Sequence, residues 1–418
     1  MRIREDDILT ATKKFSEGHI VSGGFGSVYI AELEHVDKAY CLPTETENAR
    51  ELPKKRNIVA IKRIDDTEEM AEQGFYAEIE LLTSCKHSNI IPLVGFCDEG
   101  DELILIYEYA SSGSLNYQLQ KMSNNHNDTW AQRLKICLGV AKGLSFLHTT
   151  KGDRKEVVHR DIKSANILLD GNFEAKIGDF GLSTFLSVSK DYTRYSTTIA
   201  GTPGYMDPQY GKDGKLKKES DVYSFGVVMF EILSGTVAYD RKYNVGLALE
   251  AKEHFENKKI KEMLDSKIKE EITRTLVSSI KGPNQESLDI FTKIAYKCLA
   301  EEQSERPTME VVVQELENAL LFQVSLCSKY STFLSLQVMY SFMDAWNYWC
   351  MLYMKMSHLN CFKYYRIHNI YLFNFLISKS INYYETMYWT CFLFNFTTNL
   401  RYCVVIGLLK VKYMYSSE

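Results

Sequence analysis

Apolar positions along the chain change their spacing about halfway along. Around Ile20 to Ile30, small, aromatic and β-branched residues alternate about a glycine cluster, which predicts a strand, a Gly-rich turn and a second strand. Glu32 to Asn57 is charged, contains Pro43 and Pro53, and lacks a period, so a solvated loop is expected there. Ile58 to Lys62 is a short apolar strand closed by a lysine. From Thr67 to Cys85 the spacing of Phe75, Ile79 and Leu82 predicts a helix. Leu103 to Tyr107 reads as a buried strand, and Trp130 to Leu147 as a strongly apolar helix. Short strands are expected at Val157-Val158 and Ile167 to Leu169, followed beyond Ser220 by mainly helical spacing up to Leu321. A sheet-rich half followed by a helix-rich half predicts an α+β protein of two lobes.

Composition then divides the chain again. The 418 residues carry a formal net charge of −5, which gives no support for a chain that coats nucleic acid. From Phe322 onward the balance is +5 and before it −10, a break that coincides with a change in residue usage. The segment 322–418 has no proline, one glycine and three of the four tryptophans, and its apolar runs are cut by Asp344, Lys355, Lys363, Lys379, Glu385 and Arg401. No uncharged stretch reaches the roughly 18 to 20 apolar residues that span a bilayer. Three readings compete for it: a segment lying in a membrane interface, a partner-binding or folding segment, or an aberrant extension such as translated non-coding sequence. The Asn- and aromatic-rich composition without amphipathic period favours the last. Among the ten cysteines, Cys41, Cys85, Cys97, Cys137 and Cys298 lie before the break, with no CxxC pair and no Cys/His set at zinc spacing. They have the scatter of reduced intracellular thiols. The charged start, Met1 to Asp7, lacks the apolar core of a secretory signal.

Chemistry enters through three motifs. Gly23-Gly24-Phe25-Gly26-Ser27-Val28 can bring backbone N–H groups close to phosphates, although a Gly-rich hairpin without ligand has the same spelling. Val59-Ala60-Ile61-Lys62 ends an apolar strand on an ammonium, which either snorkels to solvent or meets an anion. Glu78, on or beside the apolar face of the next helix, is a candidate counter-charge. His159-Arg160-Asp161 is followed five residues later by Asn166, and Asp179-Phe180-Gly181 begins eighteen residues after Asp161. The set, in this order, matches the protein-kinase signature. Phosphoryl transfer is mostly positioning and charge neutralisation. Asn166 and Asp179 then offer hard oxygens to Mg²⁺, Lys62 orients the phosphates of ATP, Asp161 orients the substrate hydroxyl and accepts its proton, and Lys163 neutralises the moving phosphoryl group.

From about Phe15 to Leu321 the sequence resembles the plant receptor-like kinase and Pelle group, and within it the FERONIA-like malectin-receptor kinases. The stretches that carry this are Ala11 to Ser16, His87 to Ile91, Leu93 to Cys97, Trp130 to Ile136, Lys163 to Asp170, Gly201 to Pro208 and Ser220 to Val227. The resemblance implies a bilobal kinase fold: a lead-in over residues 1–14, an N-lobe over about 15–106, a hinge at 107–111, a C-lobe over 112–321 and an irregular C-terminal extension. It implies ATP held by Val21, Gly23, Gly24, Phe25, Gly26, Val28, Ala60 and Lys62, with Tyr107 as gatekeeper and Glu108, Tyr109 and Ala110 facing adenine. It further implies Ser/Thr protein substrates, a receptor kinase as partner, and a cytoplasmic place near the inner face of the plasma membrane. Asp221 would brace the catalytic loop. Arg160 would be balanced by phosphate on Ser196, Thr197 or Thr198, while Thr202 would contact the catalytic loop.

Two departures mark the chain. Val21 stands where the family's first loop glycine belongs, and a β-branched residue there is expected to restrict the loop and weaken ATP binding. Gln209 stands where a glutamate should pair with Arg306, which is expected to leave that arginine without its charged partner and the activation segment softer. An active kinase is the main expectation, with a catalytically weak pseudokinase scaffold as the alternative.

Overall fold

The structure is a computed structural model that describes residues 1–23, 26–36, 54–64, 69–100, 102–121, 129–150, 155–186, 199–238, 246–273 and 283–324. All of these belong to one of the chain's two compact units, Met1–Phe333; the expectations for the C-terminal extension from residue 325 onward lie outside the described residues.

The first lobe is a five-stranded antiparallel sheet in the order β1-β2-β3-β5-β4. Its strands are β1 (His19–Gly23), β2 (Gly26–Val36), β3 (Lys54–Ile64), β4 (Leu93–Cys97) and β5 (Leu103–Glu108). Period-two alternation sends β5 into two different cores. Ile104 and Ile106 join Tyr29, Leu33, Val59 and Ile61 on one face, and Leu105 and Tyr107 join Phe75 and Leu93 on the other. Because both faces are covered, the strand reads in sequence as an unbroken apolar run. Each fully buried aliphatic side chain contributes roughly 1.5–3 kcal/mol. Helix α1 (Glu5–Ala11) covers the first face with Ile8, and helix α2 (Glu69–Ser84) covers the second with Phe75 and Leu82.

The expected loop from Glu32 to Asn57 is strand at both ends. β2 continues to Val36 and β3 starts at Lys54, in the register Glu32–Ile58, Leu33–Asn57 and Glu34–Arg56. Buried Leu33 keeps the alternation going, and Glu34 stands opposite Arg56, so unlike charges sit across the ladder where the sequence shows only polarity.

The second lobe is built on α4 (Trp130–Leu147) and α6 (Lys218–Ser234). From Ser220 to Leu233 every residue of α6 is buried, as expected of a helix that is apolar on all sides. Helices α7 (Leu247–Glu256), α8 (Ser266–Thr273) and α9 (Gln285–Cys298) complete this lobe. The last helix, α10, spans residues 309–324, so the boundary expected at Leu321 falls inside it. Asn284 donates its backbone N–H to Gln323 Oε1 at 2.8 Å, tying that end to the start of α9. The helical lobe also carries β6 (Gly113–Ser114), α3 (Leu115–Lys121), β7 (Val157–Val158), β8 (Ile167–Leu169), β9 (Ala175–Ile177) and β10 (Thr184–Phe185). β8 pairs with β6 and β9, and β7 pairs with β10, which fixes the loops 159–166 and 178–183 at the cleft. Among the described residues no helix is long and apolar enough to cross a membrane.

Candidate active site

On the sheet side, the hairpin of β1 and β2 closes with Gly23 opposite Gly26. Gly26 has φ +116°, and a Cβ there would lie 2.0 Å from Arg63 O, so this position admits only glycine. Gly24 and Phe25 lie outside the described residues. Val21 sits in β1 opposite Val28, more than half exposed. A β-branched residue suits an extended strand, so the restriction expected of Val21 does not fall on the turn. Ala60 and Lys62 come from β3, opposite Tyr107 and Leu105 of β5.

Lys62 Nζ lies 2.7 Å from Asp179 Oδ1 and 3.4 Å from Glu78 Oε2. Glu78, buried on α2, also accepts the Phe180 N–H at 3.0 Å through Oε1. Burial alone would depress the ammonium's pKa, but the charges of Glu78 and Asp179 outweigh it and raise it above the ordinary lysine value. For Asp179 burial acts upward, and the Lys62 charge and hydrogen bond bring the net value below the usual carboxylate range. Tyr107 is buried beside Glu78, and burial followed by that negative charge pushes its phenol well up. Glu108 ends β5, with Tyr109 and Ala110 directly after it; Ala110 O accepts the Gly113 N–H and turns the chain into the second lobe.

On the helical side, Asp161 is buried and its carboxylate is shared. Thr202 Oγ1 donates to Oδ1 at 2.6 Å, and Lys163 Nζ and Asn166 Nδ2 reach Oδ2 at 2.7 and 3.0 Å. Lys163 also donates to Thr202 Oγ1 at 2.9 Å. Asn166 spends its amide protons on Asp161 O and Oδ2, which leaves its Oδ1 for another partner. Two non-glycine residues here have left-handed backbones, Arg160 at φ 71° and Asp179 at φ 64°. Such residues cost of order 1–3 kcal/mol each and persist where the surroundings hold them. Asp221 supplies part of that hold. From within α6 its carboxylate accepts the backbone N–H of His159 at 2.8 Å and of Arg160 at 2.9 Å, and lies 2.9 Å from His148 Nε2. Arg160 reaches Leu182 O and the Tyr210 hydroxyl. Ser196, Thr197 and Thr198 lie outside the described residues.

Arg306 is not left without a charged partner, contrary to the expectation drawn from the substitution at Gln209. Arg306 Nη2 donates to Asp207 Oδ1 at 2.7 Å, with both side chains fully buried, while Gln209 Oε1 accepts the Gln303 N–H at 2.8 Å. Asp207 caps helix α5 (Pro208–Asp213) through Gln209 N and also accepts from Ser220 Oγ and Gln303 Nε2. The charge absent at Gln209 is therefore supplied two residues earlier. Burial acts upward on Asp207, but the Arg306 and Gln303 hydrogen bonds hold its pKa below the usual range.

One functional element escaped the sequence motifs. Glu231, buried on α6, accepts hydrogen bonds from Ser164 at 3.1 Å, Tyr205 at 2.5 Å and the Ala238 N–H at 2.7 Å through Oε1. It thus joins the catalytic loop to the segment carrying Thr202. Burial pushes its pKa up to about 7. The signal was present, since a lone acid inside an apolar run needs hydrogen-bond partners. The Asp207 carboxylate has no such signal, because its partner Arg306 lies 99 residues away in the sequence.

A bound Mg²⁺ would fit the oxygens on offer, because the Asn166 amide oxygen and the Asp179 carboxylate are hard donors at one end of the cleft. Among the described residues no three His, Cys, Asp or Glu side chains converge into a protein-only metal cage.

Comparison with known proteins gives the family. The sequence model of the protein tyrosine and serine/threonine kinase family matches residues 16–316. The receptor-like protein kinase HERK 1 of Arabidopsis thaliana is 38% identical over 320 residues, covering 76% of this chain and 34% of that protein. The receptor-like protein kinase FERONIA of Arabidopsis thaliana is 36% identical over 323 residues, 76% of this chain and 32% of FERONIA. The leucine-rich repeat receptor protein kinase MSP1 of Oryza sativa subsp. japonica is 44% identical over 238 residues, 56% of this chain and 16% of that protein. The chain spans about a third of the length of the first two of these relatives.

Proposed function

Because the chain belongs to the protein tyrosine and serine/threonine kinase family, we propose that it transfers the γ-phosphoryl group of ATP to Ser and Thr hydroxyls of protein substrates. The observation that carries this is the meeting of Lys62 from the sheet with Asp179 from the helical lobe, beside an Asp161 flanked by Lys163 and Asn166. Asp161 orients the incoming hydroxyl and takes its proton as the new O–P bond forms and the bond to the ADP oxygen breaks. Lys62 holds the α- and β-phosphates. Lys163, already 2.7 Å from Asp161, places a positive charge beside the γ-phosphoryl group as it moves. Asn166 and Asp179 would hold Mg²⁺, which when bound neutralises phosphate charge. Gly23, Gly26 and Val28 would cover the phosphates, and Glu108 to Ala110 would face adenine.

Serine/threonine specificity rests on Lys163, the form the resemblance to Ser/Thr kinases implies at that position. The similarity to receptor-like protein kinases supports a role in receptor-like kinase signalling. A receptor kinase as partner and a place at the cytoplasmic face of a membrane belong to the same proposal. Phosphate on Ser196, Thr197 or Thr198 would answer the Arg160 charge; replacing all three with Ala should depress activity, and unchanged activity would remove them from the mechanism. The main test is γ-labelled ATP with Mg²⁺ and Ser-, Thr- and Tyr-containing peptides. The full chain should label Ser and Thr, and Lys62→Ala and Asp161→Asn should not. Equal labelling by all three proteins would leave a kinase-shaped scaffold as the reading.

A further inference from the structure

Residues 1–15 precede the stretch matched by the family model, yet they are built into the sheet lobe. Ile3 N–H donates to Phe96 O and Phe96 N–H donates to Met1 O, both at 2.9 Å, forming a parallel bridge along β4. β4 is the edge strand of the five, so this bridge closes an open edge. β4 is shaped to receive the segment: a Cβ on Gly95 would lie 2.5 Å from Met1 O and 2.5 Å from Ile3 Cδ1. Farther along, Glu5 N–H donates to Glu99 Oε2 at 3.0 Å, Ile8 is fully buried in the outer core, and Phe15 packs on Tyr29 with Arg63 above its ring. The exposed Arg2–Asp98 pair adds little holding power.

The residue gripped by the bridge is also the one that faces α2. The Phe96 ring meets Phe75 edge-on at 6.3 Å, and Phe75 is buried one helical turn before Glu78. Glu78 in turn holds Lys62 and the Phe180 N–H. The other side of α2 is equally close to its neighbour, since a Cβ on Gly74 would lie 2.9 Å from Gly181 O. We propose that residues 1–15 are a positioning strap: by pairing with the backbone of Phe96 they fix the surface on which α2 rests, and so the place of Glu78 and Lys62 when nucleotide binds. The activity side of this rests on the kinase reading; the structural side does not.

Gly95→Ala tests it without touching a cleft residue. Amide hydrogen exchange on the full chain should show Ile3 and Phe96 released, the amides of Phe75 to Leu82 exchanging about tenfold faster, and the dissociation constant for Mg·ATP raised about threefold or more. Released bridge amides with unchanged exchange in α2 and unchanged nucleotide affinity would overturn the strap. Ile8→Ala loosens the strap from its far end. It should reproduce the α2 effect, whereas faster exchange confined to β2 and β3 would reduce the segment to a cover for the outer core. If the native chain binds no Mg·ATP, the kinase reading fails while the exchange of α2 still decides the strap.

Discussion

The two walls of the cleft are held by different physics. The helical wall rests on buried polar atoms that are individually paired: Asp221 receives two backbone N–H groups, Glu231 ties Ser164 to Tyr205, and Asp207 neutralises Arg306, all around α6. The sheet wall has apolar cores on both faces, but its buried ammonium, Lys62, is placed by two carboxylates contributed from elsewhere, one from α2 and one from beyond β9. Hydrogen bonds to fixed backbone fix direction as well as distance; a pair of charges fixes mainly distance. Asp161 therefore sits on a rigid seat, and Lys62 depends on what positions α2.

This contrast can be broken most forcefully at Asp207. Asp207→Ala leaves Arg306 as an uncompensated buried charge and should cost about 3–5 kcal/mol in denaturant unfolding. The loss has a pH signature. The folded carboxyl has a depressed pKa, so its contribution is present above the unfolded value near 3.8 and vanishes as pH falls through the folded one. Wild type and variant should converge at low pH.

Glu231→Gln comes next. The folded pKa is raised from 4.5 to about 7, so the native protein is favoured below 4.5 and loses that advantage as pH rises through 7. The variant should flatten the pH dependence of stability in that window and be more stable than wild type at pH 8 by about 2–3 kcal/mol. A wild-type stability curve already flat from pH 5 to 8 would contradict it.

Gln209→Ala removes one neutral hydrogen bond to Gln303 N and should cost only about 1 kcal/mol. Smallest is Val21→Gly. Putting glycine into strand β1 should lower stability by roughly 0.5–1 kcal/mol and leave Mg·ATP affinity within about twofold. A large gain in affinity would return Val21 to the role expected of it from sequence.

Sequence showed the catalytic loop, Lys62 and the order of the lobes because each depends on local spelling: an apolar strand ending in lysine, His-Arg-Asp with Asn at a fixed distance, an apolar run at α4. It did not show the ends of β2 and β3, where Glu34 and Arg56 meet across the ladder and look in sequence like loop. Nor could it show that Asp207, with its neighbour Gln209 turned to Gln303, meets Arg306, because that pair joins residues 99 apart and depends on where α5 begins. The built-in role of residues 1–15 was hidden for a related reason: its bridge to Phe96 is made of backbone, which leaves no residue signature except Gly95.

The central claim is that Asp161 performs chemistry on an already assembled seat while the opposite wall handles nucleotide. Single-turnover phosphoryl transfer and Mg·ATP binding measured side by side on wild type and Asp161→Asn test it most directly. The transfer rate should fall about 10³-fold with nucleotide affinity unchanged. A transfer rate within a few fold of wild type would contradict the assignment of Asp161.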